Sequence, residues 1–287
     1  MEIVLQILIN ALISASIYAL VASGVSFLYA TTKIFHLAHG GVVMAGGYTF
    51  WWLWRAHGVH PILAVIGSIV LSALVAYCMN EFVYEPLRRR GAKGLGYLIA
   101  TLALLMFSVG GLLALFGAQP RTFGVETRIF EFSGVSITAF QLGIIGVAAG
   151  LLAGLFLIMK YTKFGKAMRA TADNETVAEV LGIDTRLVRR IAFLLSGVLG
   201  AAAGIVQGVE LSLDPNRAVV LAVFGFASAV VGGVGTLSGV MVGSTLIGLT
   251  EQLVVWFFGG LWRNAIVFGL LFVFLLVRPA GIFGRKQ

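Results

Sequence analysis

The sequence predicts an all-α integral membrane protein, a polytopic bundle of eight to nine transmembrane helices forming a single domain over residues 1–287. Three observations carry that prediction. Apolar residues make up 59% of the chain and charged ones only 11%, whereas a soluble domain carries about a quarter charged residues. Mean hydropathy is +1.00. The apolar residues fall in long runs separated by short loops, and Lys and Arg concentrate in some of those loops. Such a chain would leave most of its surface apolar in water, which excludes an ordinary soluble enzyme and a disordered protein.

About 20 helical residues at 1.5 Å each span the ~30 Å hydrocarbon core. Candidate spans lie near 4–30, 38–54, 60–84, 97–117, 140–160, 188–208, 218–233, 239–258 and 263–278. The second, seventh and ninth are short, and one of them is expected to be broken or re-entrant. The run from Ile3 to Ala30 is too long for a signal-peptide core and follows no basic cluster, so it reads as a retained first span.

Charge sets the orientation. Lys plus Arg number 20 and Asp plus Glu 12, a net +8. The basic residues sit between apolar runs, as the positive-inside rule requires, so nucleic acid is rejected as a partner and the bilayer is the expected surround. Segment 85–96 has Arg88, Arg89, Arg90 and Lys93; segment 160–190 has Lys160, Lys163, Lys166, Arg169, Arg186, Arg189 and Arg190; the tail has Arg278, Arg285 and Lys286. These three are expected to be cytoplasmic, the C-terminus with them. Segments 118–139 and 209–217 are expected outside, and nine passes would put the N-terminus outside too. The lone Cys78, in an apolar stretch, reads as a small buried side chain.

Gly accounts for 37 residues, about twice the usual share. Gly143, Gly146 and Gly150, and likewise Gly197, Gly200 and Gly204, lie on neighbouring turns and read as helix-packing positions. The outer loop at about 118–139 alternates β-formers with polar residues between Gly124 and Gly134, the pattern of a small hairpin.

Few residues offer chemistry. No phosphate-binding G-x-x-x-x-G-K-[ST] motif occurs, so no ATP-hydrolysing site and no cofactor are expected in this chain, which is not read as an enzyme. His36 and His39 share a helical spacing but lack the further ligands a metal needs, so no metal is expected. An ionised side chain in the bilayer must face protein or water. Asn10 and Glu251, the latter beside Gln252, qualify as pathway or helix–helix hydrogen-bonding residues. Glu81 lies near an inner end, within reach of water. No array of embedded acids, Arg and His suggests a proton relay.

The segment 160–190, the longest inward loop, has the grammar of a short helix. Asp173 or Asn174 can cap it. Glu175 suits the positive end of its dipole. Val177, Val180 and Leu181 form an apolar stripe, Gly182 can stop it, and Asp184 can cap the next span. A groove on another protein could grip that stripe; an interfacial helix lying on lipid headgroups is the alternative. Gly232, Gly233, Gly235 and Gly239 mark a tight turn or a broken helix, a feature that lines substrate paths in transporters.

At these residues the chain resembles the permease subunits of branched-chain (hydrophobic) amino-acid ABC importers, in particular the shorter of the two paired permeases. The resemblance runs nearly end to end. It rests on Ser16-Ile17-Tyr18-Ala19-Leu20; on Phe35-His36-Leu37-Ala38-His39-Gly40, where His36 and Leu37 depart from the commonest form; and on Tyr84-Glu85-Pro86-Leu87-Arg88, with Glu85 where Arg is usual. It rests also on Ala167 through Ile183, on Gly232-Gly233-Val234-Gly235-Thr236-Leu237, and on Arg278-Pro279-Ala280-Gly281-Ile282-Phe283-Gly284.

The resemblance implies a multi-pass protein of the bacterial inner membrane, forming half of a translocation pathway. It implies a second, similar or identical permease, two ATP-binding subunits that hydrolyse the ATP, and a periplasmic or extracellular solute-binding protein. It implies a cytoplasmic coupling helix that docks to the ATPases through Asn174, Glu175, Val177, Val180, Leu181 and Gly182. The residues expected along the path are Asn10, His36, His39, Gly232, Gly233, Gly235 and Glu251. Solutes moved by the family include hydrophobic amino acids and also urea, short amides and aromatic carboxylates. The competing reading is an ion-gradient-driven secondary transporter or channel.

Overall fold

The computed structural model describes residues 2–124, 127–132, 134–278 and 281–283. Twelve helices and one two-stranded hairpin are found among these residues: α1 Glu2–Thr32, α2 His39–Trp51, α3 Pro61–Met79, α4 Glu85–Arg89, α5 Gly94–Phe116, β1 Ile129–Phe132, β2 Val135–Thr138, α6 Ala139–Tyr161, α7 Lys163–Asp173, α8 Glu175–Val180, α9 Thr185–Glu210, α10 Arg217–Gly232, α11 Leu237–Phe258 and α12 Arg263–Val277. In the C-terminal motif Pro279, Ala280 and Gly284 lie outside the described residues, as do Glu126, Arg285 and Lys286.

The all-helical membrane class holds, but the expected count of eight to nine spans is corrected. Among the described residues seven segments are long and apolar enough to cross: Glu2–Thr32, Pro61–Arg89, Gly94–Phe116, Ala139–Tyr161, Thr185–Glu210, Leu237–Phe258 and Gly260–Val277. The second and seventh expected spans are α2, 13 residues continued by a π-helical turn Trp52–Ala56, and α10, with 16. At 1.5 Å per residue the α-helical parts reach only roughly 20 and 24 Å, and the π-helical turn after α2 carries the charged Arg55. Both are sheathed by neighbours, α2 by α9, α3 and α10, and α10 by α11, α1 and α2. A helix shielded from lipid can be short, because protein partners replace the turns it lacks.

The shortening has a local cause in each case. After α1 the chain turns at Lys33, the one non-glycine residue with positive φ (57°) among those described. It then re-enters the bundle as the non-helical stretch 33–38 before α2 starts at His39. At the other site Gly233 leaves the helix with φ of 110°. The last carbonyls of α10 are then satisfied by the returning C-terminal segment, Ile282 N–H donating to the Val231 carbonyl at 3.0 Å and Phe283 N–H to that of Gly232 at 2.9 Å.

Side-chain caps fix where the longer helices begin. The Thr138 hydroxyl accepts from Gln141 N–H and the Gln141 side chain accepts from Thr138 N–H, a reciprocal capping box for α6. Thr162 caps α7, Asp184 caps α9 and Thr236 caps α11.

α1 is the hub, packed along α11, α9 and α10. Close approach depends on missing side chains: a Cβ on Gly204 would strike the Val43 carbonyl, locking α9 onto α2. The glycines of α6 differ. Gly143, Gly146 and Gly150 meet nothing in the described residues, so their expected role in packing is not met within this chain. Cys78 is exposed rather than buried, on the outward side of α3 with Leu71 and Leu74. Lipid and core are equally apolar, so hydropathy could not separate the two.

The ends of the bundle are distinct. At one end stands the expected hairpin, antiparallel with Ile129 opposite Thr138 and Phe132 opposite Val135. There Gln6 of α1 bonds Ser136, and Arg121 pairs with Leu213. The five tryptophans also gather there: Trp51 donates to the Thr122 carbonyl, Trp54 stacks near Phe123, Trp52 stands beside them, and Trp256 and Trp262 flank the end of α11. At the opposite end Lys33 donates to the Ala172 carbonyl, and α4, α7 and α8 collect.

Candidate functional site

The short helix α8 has the build its sequence suggests. Of the two candidate caps it is Asn174, not Asp173, whose side chain accepts from Val177 N–H, at 3.1 Å. Gly182, at φ of 82°, ends it. Its inward contact is Ala178, fully buried, while Val177, Val180 and Leu181 face away from the protein, the last two 83% and 73% exposed. Three large apolar side chains held outward on a capped turn form a contact surface left largely uncovered by the described residues.

Glu175, in the first turn of α8, ties that surface to the bundle. It accepts from Arg88 of α4 at 3.0 Å and from Arg189 of α9. Arg189, itself buried, also reaches Glu85 at 3.3 Å. Glu85 is buried among Arg89 and Arg186, both at 3.6 Å, as well as Arg189. Beside it Glu81 accepts from Arg186 and from Arg190 at 2.8 Å. Charges taken from water need such multiple partners. Glu81, expected within reach of water, stays partly exposed and is ion-paired as well. Sequence reasoning passed over this network. The signal for it is Glu81 and Glu85 at i, i+4 facing Arg186, Arg189 and Arg190 on one helical face.

The residues expected along the path fall into separate places. His36 and His39 are fully buried where the 33–38 stretch meets α9. His36 Nδ1 lies 2.8 Å from the Tyr84 hydroxyl, and His39 Nδ1 lies 3.1 Å from Ser196. The two rings are 6.1 Å apart, and no cluster of three or more metal-ligating side chains is found among the described residues. Glu251 is buried, accepting from the Tyr18 hydroxyl at 2.7 Å and pairing with Arg263 at 3.0 Å, so it ties α11 to α1 and α12. Gln252 donates to Ser14 at 3.1 Å.

Asn10 and Gly235 line cavities. Asn10 accepts from Gln6 and borders a cavity of about 390 Å³ under the hairpin, between α1 and α11. Gly235 N–H donates to the Ser26 hydroxyl at 2.7 Å and borders a larger groove, about 670 Å³, toward the α8 end. Gly232 and Gly233 form the α10–α11 turn, where any Cβ on Gly232 would collide with Gly239. Buried polar ties, two flanking cavities and an outward-facing apolar helix at one end thus coexist in one membrane bundle.

A family model described as the permease component of branched-chain amino acid transport systems matches residues 7–276. The chain belongs to this permease family. It is the membrane-spanning permease subunit of an ABC importer. The permease is 29% identical to BraD, a high-affinity branched-chain amino acid transport system permease protein of Pseudomonas aeruginosa, over 99% of this chain and 96% of BraD. It is 28% identical to LivH of Escherichia coli K12, which carries the same description, again over 99% and 96% of the two chains. Among solved structures it is similar to PsaBC from Streptococcus pneumoniae in complex with Fab, with a TM-score of 0.55 and 14% identity over 96% of this chain and 92% of that one. That likeness concerns the fold alone.

Proposed function

We propose that this permease forms half of a translocation pathway for branched-chain or similar hydrophobic amino acids, and that two ATP-binding subunits drive it by gripping α8. The carrying observation is the outward apolar triad of Val177, Val180 and Leu181, held by the Asn174 cap and by the Glu175 ion pairs. A groove on a soluble partner would bury that triad. Glu175 would pass the partner's motion to α4 and α9, through Arg88 and Arg189. In this reading the chain hydrolyses nothing and holds no cofactor; the motor lies in its partners.

The remaining assignments follow from the same frame. The α8 end, with its basic segments and the C-terminal residues Gly281–Phe283, faces the cytoplasm by the positive-inside rule. The hairpin end then faces outward, where a solute-binding protein docks. A second permease, identical or homologous, covers α5 and α12, which bury little of their surface inside this chain. The solute assignment rests on the names of the relatives, and the docking assignment does not depend on it.

Replacing Val177, Val180 and Leu181 together by Asp should leave membrane insertion intact and abolish co-purification of the ATP-binding subunits. Unchanged co-purification overturns the docking assignment. Reconstituted alone in liposomes with leucine and a sodium or proton gradient, the wild-type chain should take up nothing. Gradient-driven uptake overturns the reading in favour of a secondary transporter.

A further inference from the structure

The groove of about 670 Å³ on the α8 side opens sideways between α6 and α11, with α1 as its floor. Its wall is apolar: Phe27, Leu152, Phe156, Met159, Met168 and Met241 supply most of it. Most of the polar groups that reach it are already engaged by the backbone, the exposed Ser238 hydroxyl apart. The Ser23 hydroxyl donates to the Ala19 carbonyl, Ser26 accepts from Gly235 N–H, and Thr236 donates to the Gly233 carbonyl while accepting from Gly239 N–H. A polar solute would find few groups to bond; a hydrocarbon chain would meet a mostly apolar wall.

The mouth of the groove is different. Lys160, at the last turn of α6, and Arg169 of α7 border it. The Lys160 ammonium lies over the rings of Phe156 and Tyr161, at 5.4 and 5.2 Å. Arg169 donates to the Met159 carbonyl at the end of α6. Lys163 and Lys166 stand exposed on the same α7 surface. None of these four cations has an ion-pair partner among the described residues, whereas Glu81, Glu85 and Glu175 are engaged by arginines of α4 and α9. Unpaired positive charge at the end of an apolar cleft open to the bilayer matches a molecule with an anionic head and a hydrocarbon tail.

We infer that this groove is a binding site for an anionic phospholipid, one acyl chain lying between α6 and α11 and the headgroup phosphate held by Lys160 and Arg169. The site lies on a different flank from the faces given to the second permease: α6 packs on α1, α7 and α9, whereas α5 packs on α2 and α10, and α12 on α10 and α11. A lipid seated there touches α7, which leads directly into α8, so its occupancy bears on how firmly the docking helix is held.

The test is native mass spectrometry of the full chain in mild detergent, titrated with phosphatidylglycerol or phosphatidylcholine of matched acyl chains. Phosphatidylglycerol should be retained roughly tenfold more tightly. The pair Lys160→Gln and Arg169→Gln should remove that preference, whereas Lys163→Gln with Lys166→Gln should keep most of it. Ala153→Phe, which fills the groove wall, should weaken retention of both lipids. Equal retention of the two lipids by the wild type overturns the proposal. So does equal loss of preference in the Lys163/Lys166 variant, which would mean a diffuse basic surface. Displacement of the lipid by millimolar inorganic phosphate alone also overturns it, because the acyl chain would then contribute nothing to retention. If Ala153→Phe splits a permease pair while lipid retention is unchanged, the groove belongs to a protein partner and the proposal fails.

Discussion

Arg189 joins two carboxylates from different parts of the chain, bonding Glu85 of α4 at 3.3 Å and Glu175 of α8 from one buried guanidinium. Only a planar fork with several donors can hold both at once. Arg189→Met takes from Glu85 its nearest partner, leaving Arg89 and Arg186 at 3.6 Å, and should cost about 1–3 kcal/mol. Arg189→Lys keeps the charge but can hold only one carboxylate well. It should leave the protein folded while lowering solute uptake per ATP hydrolysed. Thermal unfolding checks the first variant and the transport-to-hydrolysis ratio the second.

Loss of the α8 cap should be felt at the same surface. Asn174→Ala removes the acceptor for Val177 N–H and should cost the helix about 1 kcal/mol, weakening ATP-binding-subunit affinity roughly fivefold. Asn174→Asp should restore it. A pull-down titration reads the difference.

Glycines that sit against backbone should tolerate nothing, and glycines that face outward should tolerate alanine. Gly204→Ala drives a methyl into the Val43 carbonyl and should destabilise the bundle by about 1–3 kcal/mol or more. Gly146→Ala meets nothing in the described residues and should stay within about 0.5 kcal/mol of wild type. Melting temperatures of the two purified variants provide the check.

Glu251 holds three helices through two polar ties. Glu251→Ala leaves Arg263 without its carboxylate and should cost about 3 kcal/mol, seen as lower yield and earlier unfolding. Tyr18→Phe removes only a hydrogen bond to a charged group and should cost about 1.5–3 kcal/mol. If Glu251 also contacts solute, Glu251→Gln changes uptake by more than the loss of stability accounts for.

Much of the fold can be read in the sequence because a bilayer imposes simple lengths. The long spans announce themselves by run length, and the hairpin by its alternation around Gly134. The stop of α8 at Gly182 and the caps Asn174 and Asp184 follow from side-chain chemistry within three residues. What hydropathy cannot report is which apolar surface meets protein and which meets lipid. Cys78 and the α6 glycines are misplaced for that reason, and α2 and α10 pass for full spans because their burial depends on neighbours distant in sequence. The Glu85–Arg189–Glu175 cluster is hidden for the opposite reason: its members sit in three segments, each of which alone looks like a solvated basic loop. As for the path, His36, His39 and Glu251 are packed interior groups, whereas Asn10 and Gly235 border open space.

The clustering of Trp51, Trp52, Trp54, Trp256 and Trp262 at the hairpin end gives the molecule a one-sided natural fluorophore. Intrinsic emission will follow events at that mouth, the docking of a solute-binding protein proposed above among them. It will stay silent to nucleotide-driven movement around α8. An optical record from the unmodified chain therefore reports on one end of the bundle alone.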